Sequence, residues 1–187
     1  MAIPAVDLHT RHWTREEYER MAEQGLFRPG ERVELVDGVI YEMTPQSTNH
    51  AVGVRLVRHV LGSIFSRGFD ILVQMPLALS DDSAPEPDVA IVPGGPRDHL
   101  ESHPTSAVLI VEVAETSLAH DRKRKTGLYA RAGIADYWVL LTKRRRLEVF
   151  RDPGNGIYQS KTILKATDRV SPLTRPEASI LVADLLP

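Results

Sequence analysis

The chain predicts one α/β domain in which a mixed β-sheet is flanked by helices, and three observations carry that reading. Segments of helical and of strand periodicity interleave along the chain without an internal repeat or a low-complexity linker. The run Ala107 to Ala114 is almost continuously apolar, as a strand covered on both faces must be. At 187 residues, the chain has the length at which a single hydrophobic core suffices without staples. One domain over 1–187 is therefore expected, with 1–13 as a flexible or peripheral segment.

The elements follow in order. Thr14-Arg-Glu-Glu17 has the form of a capping box, so a short helix is predicted from Thr14 to Glu23. Arg32 to Val36 and Val39 to Met43 flank Asp37-Gly38, a pair suited to the two positive-φ positions of a type I′ hairpin. From Ser47 to Arg67, Val54, Val57, Leu61, Ile64 and Phe65 recur at helical spacing, and Gly68 is a natural stop. Strands are predicted at Ile71 to Leu79, Glu86 to Val92 and Ala107 to Ala114, with a Pro/Gly-rich loop between Val92 and Pro104. Leu118, Asp121, Lys125, Leu128, Tyr129 and Ala132 share one face of a further helix that Gly133 ends. A strand from Asp136 to Leu141 follows. Arg146 to Phe150 and Tyr158 to Leu164 then form a second hairpin around Asp152-Pro-Gly-Asn-Gly156.

Composition narrows the chemistry. With 42% hydrophobic and 26% charged residues the chain is an ordinary globular protein. It has no cysteine, so disulfides, thiolate metal sites and cysteine nucleophiles are excluded and any metal must be held by oxygen or imidazole. No basic-then-apolar leader and no stretch of ~18 apolar residues is present, which makes a cytoplasmic location the expectation. The net charge of −2 gives no global positive field, so any nucleic-acid binding has to be local.

Three residues stand out as a constellation. Asp88 opens the strand Asp88-Val-Ala-Ile-Val92. Glu112 sits inside the apolar run, where an ionised carboxylate needs a cation, a hydrogen-bond network or a raised pKa. Lys125 lies on the inward stripe of its helix and wants an anion. Two carboxylates sharing Mg²⁺, or Mn²⁺, beside a lysine is an arrangement suited to phosphoryl chemistry.

Here the residues resemble a family. Pro87-Asp88 followed by Glu112-Val113-Ala114 on an apolar strand is similar to the PD-(D/E)XK signature of restriction-endonuclease-like nucleases. More closely, Val33 to Gly38, His50 opening the long helix, Ile110-Val-Glu-Val113, Asp121 with Lys125, Leu128 to Gly133, Asp136-Tyr-Trp138 and Val182 to Pro187 resemble the Uma-type restriction endonucleases, over about Thr14 to Pro187. The resemblance implies a restriction-endonuclease-like core with additional hairpins and a Mg²⁺-dependent endonuclease that hydrolyses phosphodiester bonds, in DNA. It implies Asp88, Glu112 and the Val113 carbonyl as metal ligands and Lys125 as the catalytic cation, with Glu34 and His50 as auxiliary residues. A homodimer is the arrangement by which many DNA-cutting enzymes reach both strands. In the parent motif the lysine lies two residues after the acid; here that position is Ala114, and Lys125 resembles a replacement arriving from the next helix.

Each residue also has a plainer account. Asp88 fits an ordinary strand-edge carboxylate, and Glu34 a solvent-facing strand residue. Lys125 fits a snorkelling side chain with its head in water, with Lys123 as the alternative cation. His50 fits a helix-start residue, Asp121 an ion pair with Lys125, and Lys143-Arg-Arg-Arg146 a solvated hairpin end. At the level of the whole molecule, two functional alternatives stand beside the nuclease. One is a non-catalytic nucleic-acid-binding or scaffolding module that keeps the nuclease fold; the other is a metal-dependent hydrolase of a small phosphorylated molecule.

Overall fold

A computed structural model describes residues 10–115 and 119–187, without the side chains of 119–122. Leu118 and the side chain of Asp121 therefore lie outside the described residues. Helix α1 (Arg15–Glu23) begins at the expected capping box, with the Thr14 side chain and Glu17 satisfying each other's backbone donors. Strands β1 (Val33–Val36) and β2 (Val39–Glu42) pair antiparallel with Val36 opposite Val39. Asp37 and Gly38 both take positive φ, 51° and 75°, as a type I′ turn requires. The segment before α1 is tied to this hairpin: Trp13 N donates to the Gly38 carbonyl at 2.8 Å, and a Cβ at Gly38 would lie 2.6 Å from His12 Cβ.

Helix α2 (Thr48–Ile64) is capped by Ser47 and ends at Phe65, sooner than the expected Arg67. Phe65 leaves the helix to bury its ring, which is 2% exposed and packs edge-on against Phe69. Strand β3 (Phe69–Leu72) is likewise shorter than the predicted Ile71 to Leu79. Gln74 has φ 53°, and its N–H turns to the carbonyls of Pro87 and Asp88, so the backbone leaves the ladder there.

The main sheet runs β3, β4 (Val89–Pro93), β5 (Leu109–Ala114), β6 (Asp136–Leu141), β7 (Arg146–Gly154), β8 (Ile157–Lys165) in that order. All neighbours are antiparallel except β5 and β6, which are joined by helix α3 (Ala119–Arg131) as a parallel pair must be joined by a crossover. The second hairpin is tighter than expected: Asn155 and Gly156 carry the turn with φ 54° and 74°, while Pro153 and Gly154 stay in the ladder opposite Tyr158 and Ile157. A short pair, β9 (Arg169–Val170) with β10 (Ile180–Leu181), and a 3-10 turn over Val182–Leu185 finish the chain; none was predicted.

Two cores lie on the two faces of the sheet. Leu109, Val111 and Val113 of β5 pack with Val57 and Leu61 of α2 and with Val182 and Leu185 near the C-terminus. On the other face Ile110 packs with Leu128 and Tyr129 of α3 and with Tyr137 of β6. Alternation along β5 therefore sends Glu112 to the α3 face. A smaller cluster of Tyr18, Leu35 and Ala84 seats α1 on the first hairpin. No helix among the described residues is long and apolar enough to cross a membrane.

Candidate active site

Asp88 immediately precedes β4 and is 5% exposed. Its Oδ2 accepts from the Val113 N–H at 2.8 Å, its Oδ1 from Gln74 Nε2 at 3.1 Å, and His50 Nε2 lies 3.0 Å from the same Oδ1. The strand-edge account of Asp88 therefore does not hold: the carboxylate is buried and oriented from three elements. His50 reaches it from the first turn of α2, on which Ser47 caps the His50 N–H at 3.1 Å. Gln74 owes its position to the left-handed turn that ends β3.

Glu112 faces α3. Its Oε1 accepts from Tyr129 OH at 2.8 Å and from Lys125 Nζ at 3.2 Å. The same ammonium is 3.1 Å from Glu34 Oε2, and that Glu34 oxygen also accepts from the Glu86 N–H at 3.1 Å. Lys125 is buried, its side chain 9% exposed, so it does not snorkel. Glu34 points inward from β1, 4% exposed, against the solvent-facing account. Lys123, the alternative cation, is exposed, about 200° from Lys125 around the helix axis.

Desolvation pushes the Glu112 carboxyl up to about 7; Lys125 opposes that shift, while the neighbouring charges of Asp88 and Glu34 add to it. Burial and the Glu112 charge push the Tyr129 hydroxyl well above its ordinary value, so Tyr129 acts as a donor. Val113 uses its N–H on Asp88, and Ala114 lines the cleft beside Glu112.

These groups open into a cleft of about 400 Å³. Six carboxylates line it, Glu34, Glu42, Glu86, Asp88, Glu112 and Glu115, against the cations Arg124 and Lys125 and the imidazole of His50. The surplus of negative charge and the predominance of carboxylate donors fit a hard divalent cation such as Mg²⁺ or Mn²⁺. Among the described residues no three His, Asp or Glu are grouped so as to hold a metal ion by themselves. On the outer wall the Arg124 guanidinium stacks 3.5 Å from the centre of the Tyr41 ring. Ser47 donates to Glu115 at the rim, the main reason the Glu115 carboxyl is held below its ordinary value.

Sequence reasoning missed Gln74, Tyr129, Tyr41 and Glu115. Tyr129 had a signal, since it follows Lys125 by one helical turn on the same face and carries a hydroxyl that needs a partner when buried. Gln74 had none, because its role depends on a left-handed residue inside Ile71 to Leu79, a segment that reads as one continuous strand.

The comparisons with known proteins bear on the fold and the family. A crystal structure of a putative nuclease belonging to DUF820 from Anabaena variabilis superposes with a TM-score of 0.71 at 14% identity, covering 92% of this chain and 96% of that one. That likeness establishes the shared fold. The type IIG restriction endonuclease BpuSI is similar more loosely, with a TM-score of 0.43 at 14% identity over 80% of this chain and 17% of that one. No curated protein matches. A family model matches residues 15–183, nearly the whole chain, and on that match the protein belongs to the Uma2 family, described as "Putative restriction endonuclease".

Proposed function

We propose that the protein is a metal-dependent phosphodiesterase that cuts nucleic acid, DNA in the first instance, in the cleft between β5, α3 and the first hairpin. The observation that carries this reading is a buried ammonium held at 3.1 and 3.2 Å between Glu34 and Glu112, in a cleft otherwise crowded with carboxylates. Such an arrangement is costly as an apo structure, and a divalent ion offsets that cost. Asp88 and Glu112, with the Val113 carbonyl, would hold the ion. When bound, it would supply Lewis acidity to a phosphoryl oxygen and make an attacking water more acidic.

The chain's own residues do the rest. His50, Gln74 and the Val113 N–H fix the Asp88 carboxylate, so no reorganisation is needed when a ligand arrives. Tyr129 orients Glu112 from behind. Lys125 is a positive charge already desolvated, suited to hold a water or to offset charge that develops on phosphorus. Glu34 holds its ammonium in place at 3.1 Å. In this reading Lys125 takes the part that the parent motif gives to a lysine at position 114.

The test is cleavage of plasmid DNA and of a folded RNA in parallel arms with Mg²⁺, Mn²⁺ and EDTA. Cleavage is expected in the metal arms alone. Asp88→Ala and Glu112→Ala should each abolish it while circular dichroism stays native, because neither change removes packed apolar volume. No cleavage in any metal arm, with metal bound, would favour the non-catalytic module; cleavage that survives both substitutions would sink the site.

A further inference from the structure

The turn between β6 and β7, with the first residue of β7, carries Lys143, Arg144, Arg145 and Arg146 in succession, all exposed, and the site just described uses none of them. Its placement gives the run a meaning that a solvated hairpin end lacks. Thr142 N donates to the Ala114 carbonyl at 3.0 Å, and Asn49 Nδ2 donates to Thr142 Oγ1 at 3.0 Å. Lys143 Nζ is 3.9 Å from Glu115 Oε2, and Ala114 and Glu115 both line the cleft. The parallel register of β5 and β6, with Ala114 opposite Leu141, delivers the turn to the end of the sheet where the cleft opens. Arg145 is engaged elsewhere, donating to the Pro187 carbonyl at 3.1 Å; Lys143 and Arg144 are left on the side of Glu115.

Charge separates the two regions. The cleft floor is acidic and repels a polyanion except where a divalent ion sits, whereas residues 143–146 beside it are all basic. A cleft of about 400 Å³ holds a drug-sized portion of a ligand, so a long polyanion must leave it over some neighbouring surface. We propose that the 142–146 turn is a phosphate-tracking rim: the strand whose bond lies over Asp88 and Glu112 continues across Lys143 and Arg144. This rests on the phosphodiesterase reading and sharpens it, because such a rim serves a polymeric nucleic acid and has no use for a small phosphorylated molecule.

The test compares the wild type with the double variant Lys143→Ala/Arg144→Ala. Binding is measured by fluorescence anisotropy in Ca²⁺, a hard ion for the same oxygen donors, over a salt series. The probes are a DNA duplex of about 30 base pairs and a dinucleotide. Each lost phosphate contact lowers the slope of log affinity against log salt by about 0.9. The duplex should therefore bind about tenfold more weakly in the double variant, with a slope lower by nearly two, while the dinucleotide loses less than about twofold. Arg67→Ala is the control for loss of a surface cation far from the cleft. Arg67 is exposed beyond the far end of α2, whose 17 residues span roughly 25 Å from the cleft. An unchanged duplex affinity and slope, an equal loss on the dinucleotide, or an equal loss in Arg67→Ala each overturns the rim. A wild type that binds the duplex and never cuts it retires the phosphodiesterase reading and leaves the rim measurable. A wild type that cuts, with a double variant of undiminished slope, retires the rim alone, and one that neither cuts the duplex in Mg²⁺ or Mn²⁺ nor binds it in Ca²⁺ retires both.

Discussion

Lys125 is the residue on which two accounts of the cleft differ most. Its ammonium touches Glu34 and Glu112, so it serves either as a structural counter-ion for two buried acids or as a charge aimed at the reacting phosphoryl group. Lys125→Met keeps the stem and the helix while removing the charge. If Lys125 is catalytic, single-turnover rates should fall by roughly 10² or more with metal binding retained, the usual loss for a preorganised charge. A purely structural lysine would show itself by destabilisation in urea with turnover within about threefold. Ala114→Lys added to Lys125→Met is the companion measurement. Side chains two apart on β5 share a face, so rescue would show that the cleft needs one cation from either backbone position.

At the scale of elements, Asp136 shows how the sheet is held at the end away from the cleft. It opens β6, is fully buried, and accepts from Trp138 Nε1 and Arg151 Nε at 2.8 Å and from the Leu173 N–H at 2.9 Å. One carboxylate thereby joins β6 to β7 and to the segment that leads to β10. Asp136→Ala leaves the buried part of Arg151 and the indole N–H without their acceptor, so it should cost about 3–5 kcal/mol in urea unfolding. Tyr158→Phe loses only the hydroxyl that donates to the Ile134 carbonyl at 2.8 Å, and should cost about 1 kcal/mol. Equal costs for the two would mean that the Asp136 network is no more than a single hydrogen bond.

For the whole molecule, stability should depend on pH and metal together. The Glu112 carboxyl titrates near 7 in the folded protein against an ordinary value of 4.5, so between those values the folded state holds a proton that the unfolded chain has released. This contribution to stability is full below about pH 4.5 and is lost as pH rises through about 7, on the order of a few kcal/mol at most. The metal-free protein should therefore melt lower at pH 8 than at pH 6 on account of this group. A divalent ion needs the ionised carboxylate and reverses the trend. At a hundredfold excess over Kd it adds about 2.7 kcal/mol, which for a chain of this size is a rise in Tm of roughly 5–10 °C. That rise should grow from pH 6 to pH 8 and vanish in Asp88→Ala. Calorimetry that shows the same Mg²⁺ shift in Asp88→Ala would place the ion elsewhere.

The sequence alone determined most elements, the α/β class and the family. Those depend on local rules: the capping box at Thr14 and Glu17, the two positive-φ residues at Asp37-Gly38, the continuous apolar run of β5, and the inward stripe that carries Lys125. It also singled out Asp88, Glu112 and Lys125, since an acid in a core strand and a lysine on an apolar face are conspicuous in one dimension. Only the tertiary structure decided which groups meet. Glu34 and Lys125 are far apart in the chain and touch because the first hairpin lies over α3; Gln74 reaches Asp88 because β3 stops at a left-handed residue instead of running on to Leu79. The basic turn acquired a neighbour only when the parallel pairing of β5 and β6 set it beside the cleft. Local propensity acts over a few residues and is written in their order, whereas these encounters depend on where the backbone carries distant side chains after the two faces of the sheet are buried.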